Sequence, residues 1–143
     1  MIYTDMTRKA MGIMFEAHKD QMDKSGVPYV FHPWHVAEQM VTEESCCAAL
    51  LHDVIEDTDV TADDLLKAGI SEEVVKAVEM LTHDDDEPYL EYVARIKNDP
   101  IARAVKRADL AHNSDTTRFN RPMTDKDRAR LEKYKKAVSI LNN

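Results

Sequence analysis

The feature that most constrains this chain is an abrupt change of character in its first half. Six consecutive apolar residues, Cys46 to Leu51, run straight into His52-Asp53-Val54-Ile55-Glu56-Asp57. A helix with so continuous an apolar body has no polar side to turn to water, which predicts a buried central helix over 43–57. The four ionisable groups that follow then sit at the edge of a core, where burial is costly without a compensating ion or partner. On one continuous helix His52 and Glu56 are four apart, as are Asp53 and Asp57, so all four are expected to project toward one broad face. Imidazole nitrogen together with carboxylate oxygen suits a borderline or hard divalent ion such as manganese, iron or zinc.

The rest of the chain reads as helix throughout. Helical spacing predicts segments over 4–22, from Pro33 to near Thr42, over 71–81, 89–98, 101–117 and 124–141. Thr61-Ala62-Asp63-Asp64 resembles a capping box opening a short helix that Gly69 stops. Lys24-Ser25-Gly26-Val27-Pro28 reads as a turn, and Thr82 to Pro88 as an acidic loop. With 3 glycines and 5 prolines in 143 residues, many tight hairpins are not expected. The fold class predicted is all-α, a single domain over 1–143 with about seven to eight helices.

Charge narrows the partners. The net charge is −8, which argues against general nucleic-acid or anionic-membrane binding. Residues 1–100 hold 8 basic and 22 acidic side chains, and residues 101–143 hold 11 and 5, so a local anion site remains open. Cys46 and Cys47 are adjacent, which suits buried free thiols in a reducing compartment. No signal peptide is evident, and no apolar run approaches the roughly 20 residues of a membrane span. A cytoplasmic location is expected. The stripe Leu131, Tyr134, Val138 and Leu141 packs either on the body or on a partner, which leaves a homodimer open.

Adjacent His52-Asp53, an upstream His32 and a downstream Asp109 resemble the pattern of the HD-domain metal phosphohydrolases. The likeness extends to Gln21, Ser25-Gly26-Val27-Pro28-Tyr29, His32-Pro33, the stretch from Ala48 to Thr58, Ala108-Asp109 and His112-Asn113. Over residues 15–117 the chain is similar to the hydrolase domain of the Rel/SpoT alarmone enzymes and to small stand-alone alarmone hydrolases. That resemblance implies an HD-type helical bundle with one manganese ion held by His32, His52, Asp53 and Asp109. It implies that Glu56 and Asp57 position and activate water and that Asn113 contacts a nucleotide; Lys24 and Ser25 are further candidate substrate contacts, with Lys24 either clamping phosphate or simply sitting in the turn. The implied reaction removes pyrophosphate from the 3′ position of (p)ppGpp. Where that family carries a basic pair before Ser-Gly, this chain has Asp23-Lys24, and Leu110 and Asp115 stand where arginine is frequent. Those differences keep two alternatives in play: an HD phosphohydrolase acting on another nucleotide phosphoester, and a non-catalytic nucleotide-sensing module.

Other polar residues have plainer readings. His35 is expected on the surface or in packing, and His18 at a helix end or in the outer surroundings of the site. His112 lies only about 60° from Asp109 on a helical wheel, which leaves a supporting role open. His83 and the run Asp84-Asp85-Asp86-Glu87 read as an exposed loop, without the spacing of a calcium site. The basic residues Arg128, Arg130, Lys133, Lys135 and Lys136 read as a solvated face.

Overall fold

In the computed structural model, which describes residues 1–143, the central helix does form and the others wrap it. The elements are α1 (Asp5–His18), α2 (Phe31–Glu38), α3 (Glu43–Leu51), α4 (Val54–Asp57), α5 (Ala62–Lys67), α6 (Glu72–Leu81), α7 (Tyr89–Ile96), α8 (Pro100–Asn113) and α9 (Asp125–Asn142). A 3₁₀ turn covers Thr116–Arg118, and the only β pairing is an isolated bridge between Met22 and Pro28. No helix is long and apolar enough to cross a membrane.

Helix α3 starts where its sequence says it should. The Thr42 hydroxyl accepts from Ser45 N–H and the Ser45 hydroxyl accepts from Thr42 N–H, a reciprocal cap, with Glu43 and Glu44 favourably placed in the first turn. Every residue from Ser45 to Leu51 is buried, and α3 packs against α1, α2, α6 and α8 at once. Complete burial of Leu50 and of Leu51 contributes about 1.5–3 kcal/mol each by the usual transfer scale. Gly69, at φ +97°, ends α5 as its position suggests. Asp99 caps α8 by accepting from Ile101 and Ala102 N–H, with Pro100 in the first turn. The α9 stripe turns to the body: Ala137 and Leu141 are buried, and α9 packs on α7 and α8.

Four expectations about helix limits are corrected. Helix α2 ends at Glu38 rather than near Thr42, because Thr42 is extended and caps α3. Helix α1 stops at His18 rather than residue 22, because residues 21–29 close on themselves. Asp23 N–H donates to the Val27 carbonyl, Tyr29 N–H to that of Gln21, and the Asp23 carboxylate accepts from Ser25 and Val27 N–H. Gly26 supplies the positive φ, +77°, that this turn needs. Helix α8 ends at Asn113 rather than 117, where Asp115 caps the 3₁₀ turn through Thr117 N–H. The expected helix over 43–57 is not continuous. His52 Nδ1–H donates to the Ala49 carbonyl, competing with the backbone ladder. Asp53 then adopts φ −107°, ψ 0°, and a separate one-turn α4 follows. The eight expected helices become nine by this one break.

Candidate metal and phosphoester site

The break at Asp53 decides the geometry of the site. His52 stays with the core at the end of α3, while Glu56 and Asp57 leave on α4, so the four groups divide rather than share one helix face. His32, His52 and Asp109 bring one ligand atom each to within 4.8 Å of one another, and all three are buried. Asp53, Glu56 and Asp57 form a second such cluster, open to solvent at Glu56 and Asp57. Asp53 links the two, since its Oδ2 lies 3.2 Å from His52 Nε2.

Each side chain of the buried cluster is held from behind. The bond to the Ala49 carbonyl, 2.6 Å long, commits the His52 proton to Nδ1 and turns Nε2 inward. That Nε2 is buried and has no hydrogen-bond partner, although Asp109 Oδ1 stands only 3.6 Å away. His32 Nε2 lies 2.8 Å from Asp109 Oδ1, and its Nδ1 lies 2.7 Å from His112 Nδ1. Burial, and then the Arg118 guanidinium, push the His112 imidazole down to about 4, so it stays neutral and offers His32 an acceptor. Asp109 keeps Oδ2 on the Lys106 ammonium at 2.9 Å and accepts from Asn113 Nδ2 on Oδ1 at 3.0 Å. Lys106 is itself sunk beneath the Tyr89 and Tyr92 rings, 5.6 and 5.2 Å from their centroids. The Tyr29 hydroxyl donates to Asp53 Oδ2, with the ring packed between His18 and His32.

The electrostatics are those of two carboxylates crowded against an imidazole and an ammonium. Burial lowers the His52 imidazole, but the Asp53 and Asp109 carboxylates outweigh it and hold it well above its usual range. Burial raises Asp109, yet Lys106, then His32 and His52, keep it well below the ordinary carboxylate range. An unpartnered inward imidazole nitrogen among carboxylate oxygens is a fitting donor set for a divalent cation, which would take its charge compensation from the same groups. His32, His52 and Asp109 would hold it, with Asp53 alongside.

Glu56 and Asp57 face outward from this cluster. Burial raises the Glu56 carboxyl, the His83 amide lowers it, and the Asp53 carboxylate raises it further. Burial and then Asp53 raise Asp57 likewise. On the other side, a cavity of about 330 Å³ is lined by Lys24, Ser25 and Asn113 together with His32, and walled by Tyr29, Phe119, Tyr134, Arg118 and Arg130. Ser25 Oγ is already donating to the Arg118 carbonyl, and Asn113 to Asp109. Asp23 lies in the same wall, caps its own turn and stands 3.7 Å from Arg118. Leu110 is in the core.

Several supporting residues were not assigned a role by their sequence context. Tyr29 lies within the Ser25–Tyr29 stretch of the family likeness, and Lys106 lies three residues before Asp109. Arg118 carries no signal in the sequence, and Arg130, which reads there as a solvated charge, lines the cavity instead. His18 is fully buried, with Nδ1 3.0 Å from Gln21 Oε1. His35 stacks on His112 at 4.1 Å. His83 is a correction: it is half-buried rather than exposed, and its amide donates to Glu56 Oε1 at 2.6 Å.

Residues 10–139 match the HD domain family. The chain belongs to that family. It is 31% identical over 126 residues to the guanosine-3′,5′-bis(diphosphate) 3′-pyrophosphohydrolase of Aquifex aeolicus, a match covering 80% of this chain and 18% of that protein. A Mus musculus protein of the same name is 35% identical over 114 residues, 69% of this chain and 63% of that one. The solved structure of a metazoan ortholog of SpoT, described as hydrolysing ppGpp, aligns with a TM-score of 0.80 at 25% identity. That alignment covers 100% of this chain and 89% of the other. An HD domain implies a divalent metal, and the His32, His52 and Asp109 cluster could bind one.

One consequence concerns Tyr29. Tyr29→Phe removes the only hydroxyl on Asp53 and frees that carboxylate to rotate. Manganese affinity is expected to fall by about ten- to a hundredfold, as for other outer partners of metal ligands. Calorimetric titration checks this, and an unchanged affinity would show that Asp53 needs no such support.

Proposed function

We propose that this HD domain is a metal-dependent nucleotide pyrophosphohydrolase that removes the 3′-pyrophosphate of (p)ppGpp, giving GDP or GTP. The observation that carries the reading is the unpartnered His52 Nε2 in a His/Asp cluster, with a carboxylate pair on one side and a nucleotide-sized cavity on the other. The relatives named for this reaction support the choice of substrate. Manganese is our choice of metal, because mixed imidazole and carboxylate donors suit it. The paired free thiols Cys46 and Cys47 fit a cytoplasmic setting.

When bound, a divalent ion lowers the pKa of adjacent water, orients the phosphate and offsets transition-state charge. The chain's own residues supply the rest. Tyr29, Phe119 and Tyr134 offer flat surfaces for a base, and Lys24 and Arg130 offer positive charge to phosphate. Asn113 holds Asp109 and borders the cavity, joining metal and nucleotide subsites. Glu56 takes a proton from water as its oxygen attacks the phosphorus next to the 3′-oxygen, and Asp57 orients that water. The bond from phosphorus to the 3′-oxygen breaks, that oxygen takes a proton from solvent to become the 3′-hydroxyl, and pyrophosphate leaves.

A second reading, hydrolysis of a different nucleotide phosphoester, draws on Asp23, whose carboxylate offsets Arg118 in the cavity wall. Purified protein with manganese should convert ppGpp to GDP and pyrophosphate, with Asp53→Ala as the blank. Manganese binding without turnover of ppGpp, but with release of phosphate from another nucleotide, would favour the second reading.

A further inference from the structure

The acidic loop after α6 carries more than solvated charge. We propose that Arg95 is a positioning residue for Glu56, acting through the loop 82–88; this rests on the reading of Glu56 as the general base. Arg95, on α7, spreads its planar fork over both ends of the segment. Nη1 donates to the Met80 carbonyl at 2.7 Å and Nη2 to the Thr82 carbonyl at 3.0 Å. Nε and Nη2 grip the Glu87 carboxylate at 2.8 and 3.0 Å. Two of these acceptors are carbonyls at the end of α6, where a helix leaves such groups without partners. The other is at the loop's far end, so one guanidinium closes the loop into a ring.

The closed ring aims a single donor at the site. His83 Nε2 bonds the Glu87 carbonyl at 2.6 Å across the loop, and the Tyr92 hydroxyl donates to Leu81 O at 2.5 Å beneath it. Between these anchors the His83 amide donates to Glu56 Oε1 at 2.6 Å. Glu56 itself is exposed on a single turn of helix, which cannot fix so flexible a side chain. With Oε1 engaged, Oε2 is left to face water beside the buried cluster. Loss of the fork frees the loop, withdraws the amide and lets Glu56 sample unproductive rotamers. An exposed ion pair by itself would matter little; this one matters because its product is the amide on Glu56.

The test compares Arg95→Met, Arg95→Lys and Glu87→Gln with the wild type and Glu56→Gln, using ppGpp hydrolysis, manganese titration and hydrogen exchange of the His83 amide. Arg95→Met should lower kcat by about ten- to a hundredfold, the scale of a small misplacement of a catalytic group. KM and manganese affinity should stay within about twofold. Exchange at His83 should quicken at least about tenfold, since an opened loop no longer protects it. Glu87→Gln should shift kcat in the same direction, and Arg95→Lys should recover part of the loss. Arg95→Met added to Glu56→Gln should cost nothing further, because the two act through one group. An unchanged kcat in Arg95→Met, or a loss matched by weaker metal binding, overturns the proposal while the role of Glu56 stands. Full activity in Glu56→Gln would overturn that role and the proposal with it. If the wild type does not hydrolyse ppGpp, the substrate reading fails, and unchanged His83 exchange in Arg95→Met would overturn the clamp separately.

Discussion

His52→Ala is expected to lose manganese binding and to lower turnover by about a thousandfold or more. Within the His32, His52 and Asp109 cluster, His52 alone has a ring nitrogen that is buried and without a hydrogen-bond partner. Its ring cannot be replaced by a neighbour, since His32 is engaged with Asp109 and His112 with His32. Removing it also leaves Asp53 and Asp109 facing each other without the imidazole between them, so the ion-free protein should be weakened too. A thousandfold corresponds to about 4 kcal/mol, within the several kcal/mol that a divalent ion supplies to a phosphoester transition state. Thermal melts give a reading independent of activity. At about a hundredfold excess of manganese over its dissociation constant, the wild type should gain about 2.7 kcal/mol, and His52→Ala should gain almost nothing. A variant that kept the manganese-dependent rise in Tm would show that the ion binds elsewhere.

Glu56→Gln should behave in the opposite manner, keeping the metal while slowing turnover by about 10² to 10⁴-fold. Glu56 is outside the His32, His52 and Asp109 cluster, so its loss leaves the metal donors in place. Glutamine retains an oxygen that can accept from the His83 amide, so the substitution removes basicity and little else. The pH profile carries the same prediction. Burial raises the Glu56 carboxyl above its ordinary value, and a general base works only when deprotonated. Wild-type kcat should therefore rise with pH through that raised value, and this limb should vanish in Glu56→Gln. Wild-type rates in the variant, or an unaltered profile, would sink the assignment.

Much of this fold is legible because its signals are local. Thr42 with Ser45, Thr61 with Asp64 and Thr124 with Asp127 cap helices within three residues of themselves, and Gly69 ends α5 by its own backbone freedom. The apolar run from Cys46 to Leu51 could only be a core helix. The residue types of the site were legible for the same reason, since His52-Asp53 and Glu56-Asp57 betray themselves by standing at the edge of that run.

What tertiary structure decided is how those groups are aimed. A helical wheel puts His52, Asp53, Glu56 and Asp57 on one face, but the His52 side chain takes the Ala49 carbonyl and the chain breaks at Asp53. One buried cluster and one exposed pair result. The partners that orient them come from far along the chain: Tyr29 for Asp53, His112 for His32, and the Arg95-held loop for Glu56. No periodicity encodes such pairs, because a hydrogen bond between residues 24 or 80 positions apart exists only after packing has brought their helices together. The sequence by itself determined which helices form and which chemistry they carry. Only the tertiary structure decided which atom of each group faces the buried cluster, since burial leaves a polar side chain free to choose only among the partners that packing provides.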